Sequence, residues 1–189
     1  MNPNFEYLNS LVDLSEETSN KLNSLAKFKR IKANTVLNRI GETPTKYYFL
    51  VSGLISAHLD SESGKVFTKK IFSPVSFVAS FTALINKEPS KLTYETLTDC
   101  KIYEFDYRKM MELCKSDITI SLLYARILEQ VFIGYEKRSL ELMSMDATQR
   151  YLKLRKQIPN IDDLIAQFQI ASYLSITPVQ LSRIRKKLN

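Results

Sequence analysis

Residues 167–188 read QFQIASYLSITPVQLSRIRKKL, a stretch that predicts two short amphipathic helices joined by a tight turn. Ser175 occupies the turn, where glycine is usual, so a left-handed backbone conformation at this position would carry a steric cost. Apolar residues stand at the intervals that a packed helix pair needs, at Ile170, Leu174, Ile176, Leu181 and Ile184.

The start of the second helix is marked by several signals that agree. Thr177 is a favourable N-cap, and Pro178 fits the first helical position, where no amide hydrogen is required. Gln180 falls three residues after the cap and completes a T-x-x-Q capping box. Ile176 and Leu181 flank the cap at the spacing of a hydrophobic staple. Together these signals predict a helix that begins at residue 178.

The positive charge of the chain is concentrated in the same region. Residues 150–189 contain eight Lys and Arg against two Asp, so they carry +6 of the net charge of +7. A basic excess at one end is typical of a nucleic-acid module. The alternative is a solvated helix end whose Arg and Lys complement the helix dipole. Combined with the helix-turn-helix spacing, the charge favours DNA binding with the second helix in the major groove.

Length and composition predict a globular chain. At 189 residues, 44% hydrophobic and 25% charged, it can form one good core and a small second one. No apolar run approaches the roughly 20 residues of a membrane span, and no secretory signal is recognised. Cys100 and Cys114 follow no metal-ligand spacing and are expected to be buried and reduced. We therefore expect a cytoplasmic protein with no membrane partner.

The first hundred residues change from helical to strand patterning. Leucines at helical spacing predict short helices over residues 5–29. From residue 28 to 107, short runs rich in Val, Ile, Thr, Tyr and Phe alternate with turn residues, which predicts an antiparallel β-barrel or roll. The expected strands are Tyr47–Val51, Leu54–Leu59, Val66–Phe72, Tyr94–Leu97 and Lys101–Phe105, with a turn at Ser61–Gly64.

A helical period returns and predicts one long helix over residues 116–145, capped at Ser116-Asp117. At 1.5 Å per residue it would span about 40 Å, so it needs surfaces to pack against. We expect one face to cover the roll and the other to pair with a second subunit; packing on its own chain alone is the alternative. The residues expected at the dimer interface are Ile120, Leu123, Ile127, Val131 and Gly134.

A second capping box, Asp146-Ala147-Thr148-Gln149, opens a helix that runs towards Ile158 and stops at Pro159. A capped restart directly after a long helix predicts a hinge at Asp146. The expected α+β architecture therefore has three parts. They are a jelly-roll-like β-roll with N-terminal helices at residues 1–115, the long dimerisation helix at 116–145, and a small helix-turn-helix domain at 146–189.

This order of elements resembles the Crp/Fnr family of bacterial transcription regulators, over almost the whole chain. The most specific matches are DATQRY at residues 146–151 and IASYLSITPVQLSRIRK at residues 170–186. Gly41 and Gly53 match the glycines of the family's roll. The resemblance implies a homodimer on a near-palindromic operator of double-stranded DNA, with recognition helices about one DNA turn apart. It further implies contact with RNA polymerase and an unidentified small-molecule effector.

The family's base-reading positions fall at Pro178, Val179 and Arg183, and only Arg183 keeps a guanidinium that can reach guanine O6 and N7. The operator should therefore differ from that of the best-known member. For Gln180, a purely capping role is the alternative to base contact. The residues expected to face the groove are Gln180, Ser182 and Arg183, and those expected near phosphates are Thr177, Arg185, Lys186 and Lys187.

The effector side departs from the family's cyclic-nucleotide binders. Their Gly-Glu pair, which holds the ribose, falls on Ala79-Ser80, and their Arg-Ser pair, which holds the phosphate, falls on Ser90-Lys91. Lysine does not replace arginine at a bidentate site. We expect weak or no cyclic AMP binding and no cofactor, and Ser80, Ser90 and Lys91 remain the candidate effector-pocket residues.

Other classes fit the sequence poorly. An iron–sulfur sensor needs four Cys, and a haem sensor would have to use His58, which is expected to be a partly exposed strand residue. A single His with no nucleophile elbow or acid pair argues against an enzyme, and no metal site is expected. The remaining alternative is a dimeric sensory or scaffold protein with a degenerate roll that does not read DNA. Retention on duplex with a steep salt dependence would discriminate the two.

Overall fold

The computed structural model describes residues 6–61 and 64–188. Two short helices precede the roll: α1 (Glu6–Leu11) and α2 (Glu16–Leu25). The roll contains β1 (Lys27–Ile31), β2 (Val36–Asn38), β3 (Lys46–Ser52), β4 (Ile55–Asp60), β5 (Val66–Phe72), β6 (Ser76–Val78), α3 (Phe81–Asn86), β7 (Thr93–Thr96) and β8 (Cys100–Asp106). The helices that follow are α4 (Tyr107–Ser116), α5 (Ile118–Ser144), α6 (Ala147–Gln157), α7 (Ile161–Leu164), α8 (Gln167–Tyr173) and α9 (Pro178–Leu188).

The strands form two antiparallel four-stranded sheets, in the orders β1-β8-β3-β6 and β2-β7-β4-β5. Between them lies a core that includes Leu50, Ile55 and Ile102, all without exposed surface. The outer face of the first sheet is also covered, by α1, α2, α4 and α5, and Tyr47 stacks there on Phe105 with centroids 5.0 Å apart. A sheet covered on both faces needs continuous apolar runs, as in β3.

The expected α+β fold is confirmed, and so are the five expected strands. The Ser61–Gly64 turn falls partly outside the described residues, although Gly64 N–H donates to the Ser61 carbonyl at 2.9 Å. Phe28, expected in a helix, lies in β1, because pairing with Tyr103 of β8 outweighs the local pattern. His58 is buried rather than partly exposed. The Ser56 hydroxyl lies 2.9 Å from His58 Nδ1, and Phe168 and Gln169 of α8 line the same cleft as His58.

The long helix forms as expected, with 27 residues in α5. Asp117 caps its start by accepting hydrogen bonds from the Thr119 and Ile120 amides at 3.1 and 3.3 Å. By length and composition alone, α5 is long and apolar enough to cross a membrane. Of its most apolar 18 residues, 17% are buried inside the structure. One face of α5 nevertheless forms part of the roll's core. Packing on the roll therefore accounts for part of its apolar composition.

A further core joins the C-terminal helices to each other and to the roll. Tyr151, Leu154, Ile170, Leu174 and Leu181 are almost completely buried there. The same cluster contains Leu54 and Ile71 of the roll, because α8 packs on the edge strand β5. The helix-turn-helix is therefore docked on the β-roll.

Candidate nucleic-acid interface

The turn between α8 and α9 has the geometry of a Schellman motif. Ser175 adopts a left-handed conformation with φ of +59°. The Ile176 amide donates to the Ala171 carbonyl and the Ser175 amide to the Ser172 carbonyl, both at 3.0 Å. The left-handed conformation thus falls on a serine, at the position where glycine is usual. This turn ends α8 and directs the chain into α9.

The capping box that opens α9 is complete. The Gln180 amide donates to Thr177 Oγ1 at 3.2 Å, and the Thr177 amide donates to Gln180 Oε1 at 2.8 Å. The expected capping role of Gln180 is therefore confirmed. The side-chain NH₂ of Gln180 takes no part in these bonds and can still donate. Base contact by Gln180 can involve this group alone.

The outward face of α9 carries exposed hydrogen-bonding and cationic side chains at Ser182, Arg183, Lys186 and Lys187. Within residues 6–61 and 64–188, the three cationic members form no ion pair with a carboxylate. The inward face is anchored by Leu181, which has no exposed surface. Burial of one face thus fixes the direction of the other, and three unpaired positive charges point to solvent.

Arg185 does not belong to this outward set, contrary to the expected phosphate contact. Its guanidinium forms an ion pair with Asp162, and its Nε donates to the Tyr151 hydroxyl at 3.2 Å. Tyr151 in turn donates to Asp162 at 2.7 Å. Burial, together with the Asp162 carboxylate, raises the pKa of Tyr151 and keeps this donor protonated. Arg185 therefore ties α9 to α6 and α7, because its position on α9 faces these helices.

The end of α8 is held by two arginines that sequence reasoning missed. Arg138 of α5 donates to the Tyr173 carbonyl and lies over the Tyr173 ring, 4.1 Å from its centroid. Arg150 of α6 donates to the Leu174 carbonyl at 3.0 Å. These bonds satisfy carbonyls that a helix end leaves free. Arg150 lies in the DATQRY segment, which was the available signal, whereas nothing local pointed to Arg138.

Ser172 fixes α8 to the roll. Its hydroxyl donates to the Val66 carbonyl at 2.6 Å and accepts from the Thr68 amide at 2.8 Å. Both groups belong to the outer edge of β5, which is the edge strand of its sheet in the part of the chain that the structure describes. One hydroxyl thus satisfies a donor and an acceptor that an edge strand would otherwise expose. This contact sets the position of the helix-turn-helix relative to the sheet.

Comparison with known proteins gives the same architecture. Residues 28–117 match the family described as Cyclic nucleotide-binding domain. The CRP-like protein Clp of Xanthomonas campestris is 20% identical over 82% of this chain and 67% of its own length. The solved structure of the c-di-GMP responsive global regulator CLP of this species has a TM-score of 0.69 at 16% identity, covering 92% of this chain and 91% of that one. The structure of FixK2 from Bradyrhizobium japonicum has a TM-score of 0.70 at 16% identity, covering 86% and 84%.

Residues 28–117 are thus similar to a cyclic nucleotide-binding domain, and the chain shares its fold with these two solved structures. Other proteins with this fold include TTHB099 of Thermus thermophilus, a transcription regulator of the CRP family. The fold explains why residue 53 of the roll is a glycine. Its φ is +93°, and a Cβ there would lie 2.4 Å from the Asp99 carbonyl oxygen. Only glycine fits this close approach between the β3–β4 turn and the start of β8.

The effector-pocket positions of this Crp/Fnr fold do not form a phosphate cradle. Ser90 is buried, and its hydroxyl donates to the Leu92 carbonyl at 2.7 Å. Lys91 is exposed. Ser80 precedes α3 but makes no side-chain cap bond to it. The hydroxyl of Ser90 is thus bonded within its own loop. Lys91, the only cationic residue among these three positions, is exposed to solvent.

Three of the residues expected at a dimer interface lie on the wrong face of α5. Ile120, Leu123 and Ile127 are at most 5% exposed and pack in the core of their own roll. Val131 also packs against that core, and Gly134 faces Lys70 of β5. The periodicity of the helix was correct, but a helix with two apolar faces does not reveal which one its own chain covers. The exposed apolar residues of α5 are Ile118, Leu122, Phe132, Leu140, Leu142 and Met143.

Proposed function

We propose that this protein is a homodimeric, DNA-binding transcription regulator of the Crp/Fnr type. The observation that carries the proposal is the outward face of α9, where Arg183, Lys186 and Lys187 are exposed and unpaired within the described residues. The opposite face of α9 is locked by Leu181 and by the Arg185–Asp162 pair. A rigid helix with cations on one side suits the major groove of DNA.

The side chains divide into two roles. Arg183 follows the first turn of α9, where recognition helices reach base edges, and its guanidinium can bond guanine O6 and N7. Lys186 and Lys187 lie near the C-terminal end of the helix, where a flexible ammonium suits a phosphate. Ser182 and the side-chain NH₂ of Gln180 are further hydrogen-bond donors that would face the DNA groove. Thr177 would lie beside the phosphate backbone of the DNA. Arg185 does not belong to either role, because its ion pair with Asp162 holds its guanidinium against α7.

A second copy of this chain is the partner that we propose for the outward face of α5. Ile118, Leu122, Phe132, Leu140 and Met143 lie along one stripe, on the side opposite the residues that pack on the roll. Successive positions of this stripe are separated by steps of three or four residues, or by sums of such steps, as in paired helices. Glu129 lies within the same stripe, and Arg126 neutralises it at 2.8 Å. Pairing along α5 would set two copies of α9 about a two-fold axis.

Control by cyclic AMP is not part of the proposal. The aligned positions offer neither a carboxylate for the ribose nor a guanidinium for the phosphate, and Ser90 is already bonded to Leu92. Titration calorimetry with cyclic AMP should give no binding in the low-micromolar range. We place the protein in the cytoplasm, as expected for a regulator of this type, with RNA polymerase as a further partner.

The direct test measures binding to a fluorescent random-sequence duplex at several salt concentrations. Neutralising phosphates releases counterions, so affinity should fall steeply as salt rises, and each phosphate contact contributes about 0.9 to the slope. Lys186→Ala and Lys187→Ala should each flatten the slope by about 1, whereas Lys27→Ala, an exposed lysine of the roll, should leave it unchanged. A protein that ignores duplex even in dilute buffer, yet still dimerises, would be the sensory or scaffold protein instead.

A further inference from the structure

The first turn of α9 carries an exposed aliphatic side chain on the outward face of the helix. Val179, the second residue of α9, is 61% exposed, whereas Leu181 on the inward face has no exposed surface. Residues four apart lie on the same side of a helix, so Val179 and Arg183 share the outward face. A single exposed valine on a protein surface needs no explanation. This valine, however, lies on the face assigned above to the major groove, one turn before the guanidinium that would contact a guanine.

The position of Val179 is fixed by hydrogen bonds on two sides of it. The capping box holds the backbone at the start of α9, where the Thr177 amide donates to Gln180 Oε1 at 2.8 Å. Gln167 of α8 donates from its Nε2 to the Pro178 carbonyl at 2.9 Å, which ties the same turn to the neighbouring helix. A β-branched side chain has one strongly preferred rotamer in a helix. The two methyl groups of Val179 therefore already point in a fixed direction before any DNA is bound.

An aliphatic side chain distinguishes the four bases by one chemical group. In the major groove only thymine presents a methyl group, whereas the edges of adenine, guanine and cytosine present hydrogen-bond donors and acceptors. A valine placed against those polar edges displaces water without replacing its hydrogen bonds, which costs free energy. Against thymine, the same valine buries the C5-methyl group together with its own methyl groups, which is favourable. The side chain thus favours thymine and disfavours the other three bases.

We propose that Val179 selects one thymine in each half-site of the operator through contact with its C5-methyl group. Val179 and Arg183 are about 6 Å apart along the helix axis, and successive bases of a strand are about 3.4 Å apart. The thymine therefore lies within about two base pairs of the guanine that Arg183 contacts. This assignment rests on the proposed DNA binding and adds to it an apolar contact that distinguishes sequences.

The test begins with the selection of operators from a random duplex pool by the wild-type protein, by Val179→Ala and by Arg183→Ala. We expect the wild type to select one thymine per half-site whose preference is lost in Val179→Ala. This thymine should lie within about two base pairs of a guanine whose preference is lost in Arg183→Ala. Val75→Ala is the control, because it makes the same change at a valine of the β5–β6 turn that is 52% exposed. It should select the wild-type operator.

The second step replaces the selected thymine by uracil. This change exchanges only the C5-methyl group for hydrogen, so it requires no protein variant to fold. The affinity of the wild type should fall about threefold to fivefold for one half-site, as expected for the burial of one methyl group, and about tenfold or more for both. In Val179→Ala the affinities for the thymine and uracil operators should differ by less than about twofold. A change in this ratio reports a pairwise contact, which a purely structural role of the valine would not alter.

Equal affinity of the wild type for the thymine and uracil operators would overturn the assignment, and so would an unchanged ratio in Val179→Ala. An operator without this thymine and guanine, or with the two further apart than about two base pairs, would overturn it as well. If the wild type selects no operator at all, the proposed DNA binding fails and the assignment of Val179 fails with it. A selected operator that is insensitive to uracil would leave the DNA binding intact and refute only the contact of Val179.

Discussion

Helices α9 and α5 differ in how much of their orientation is fixed locally. In α9 the cap, the staple and the turn are encoded within a dozen residues, and Leu181 faces the single core beside it. In α5 the cap at Asp117 is equally local, but apolar residues line two faces of the helix. Local signals place the start of both helices. Which face of a helix packs on the core depends on the rest of the chain. Of these two helices, α5 has two apolar faces that could pack on the core, whereas α9 has one.

The largest expected effect is on the free energy of unfolding, and it should differ between substitutions on the two faces of α5. Ile120→Ala removes a side chain with no exposed surface and leaves a cavity in the roll's core, so the free energy of unfolding should fall by about 2–5 kcal/mol. Leu122→Ala, two residues further on and 46% exposed, should change it by less than about 0.5 kcal/mol in the monomer. Urea unfolding at low protein concentration measures both. Equal losses would contradict the assignment of the faces.

The outward face of α5 should control association instead. Phe132 is 67% exposed and lies in the middle of the proposed dimer stripe. Phe132→Glu would bury a charge between two helices, and losing a central contact of about 2 kcal/mol or more raises the dimer dissociation constant about thirtyfold or more. Sedimentation equilibrium measures this constant. Arg108→Glu, on the exposed surface of α4, should leave it unchanged; a dimer that tolerates Phe132→Glu does not use this face.

Substitutions of the two arginines on α9 should change different quantities, operator affinity for Arg183 and the free energy of unfolding for Arg185. Arg183→Ala should weaken binding to a specific operator by about 1–3 kcal/mol and leave unfolding unchanged, since its side chain contacts solvent. Arg185→Ala breaks the bonds to Asp162 and Tyr151, so the free energy of unfolding should fall by about 1–3 kcal/mol. Operator affinity, measured well below the unfolding midpoint, should change little. A reversed pattern would return Arg185 to the DNA-facing set.

The order of elements and the caps were predictable because they depend on neighbouring residues. The boxes at Asp146–Gln149 and Thr177–Gln180 both form as the sequence indicates. Contacts between distant residues were not predictable. The Ser172 contact with β5 joins residues more than a hundred apart, and Arg138 reaches α8 from another helix. The sequence placed Arg185 near phosphates for the same reason. Its partner Asp162 lies on another helix, α7, and no local pattern connects the two residues.

The smallest effect concerns the turn that joins the two helices of the helix-turn-helix, α8 and α9. Ser175 holds φ of +59°, a left-handed conformation that costs an L-residue about 1–2 kcal/mol. Ser175→Gly removes this cost but loses about 0.5–1 kcal/mol through the greater freedom of glycine in the unfolded chain. The net gain should be about 0.5 kcal/mol, or roughly 1–2 °C in Tm for a chain of this size. Ser175→Ala keeps the Cβ and should melt with the wild type in a calorimetric scan. If glycine lowers Tm, the serine side chain stabilises the turn by more than its backbone strain costs, and the turn is less locally determined than its sequence indicates.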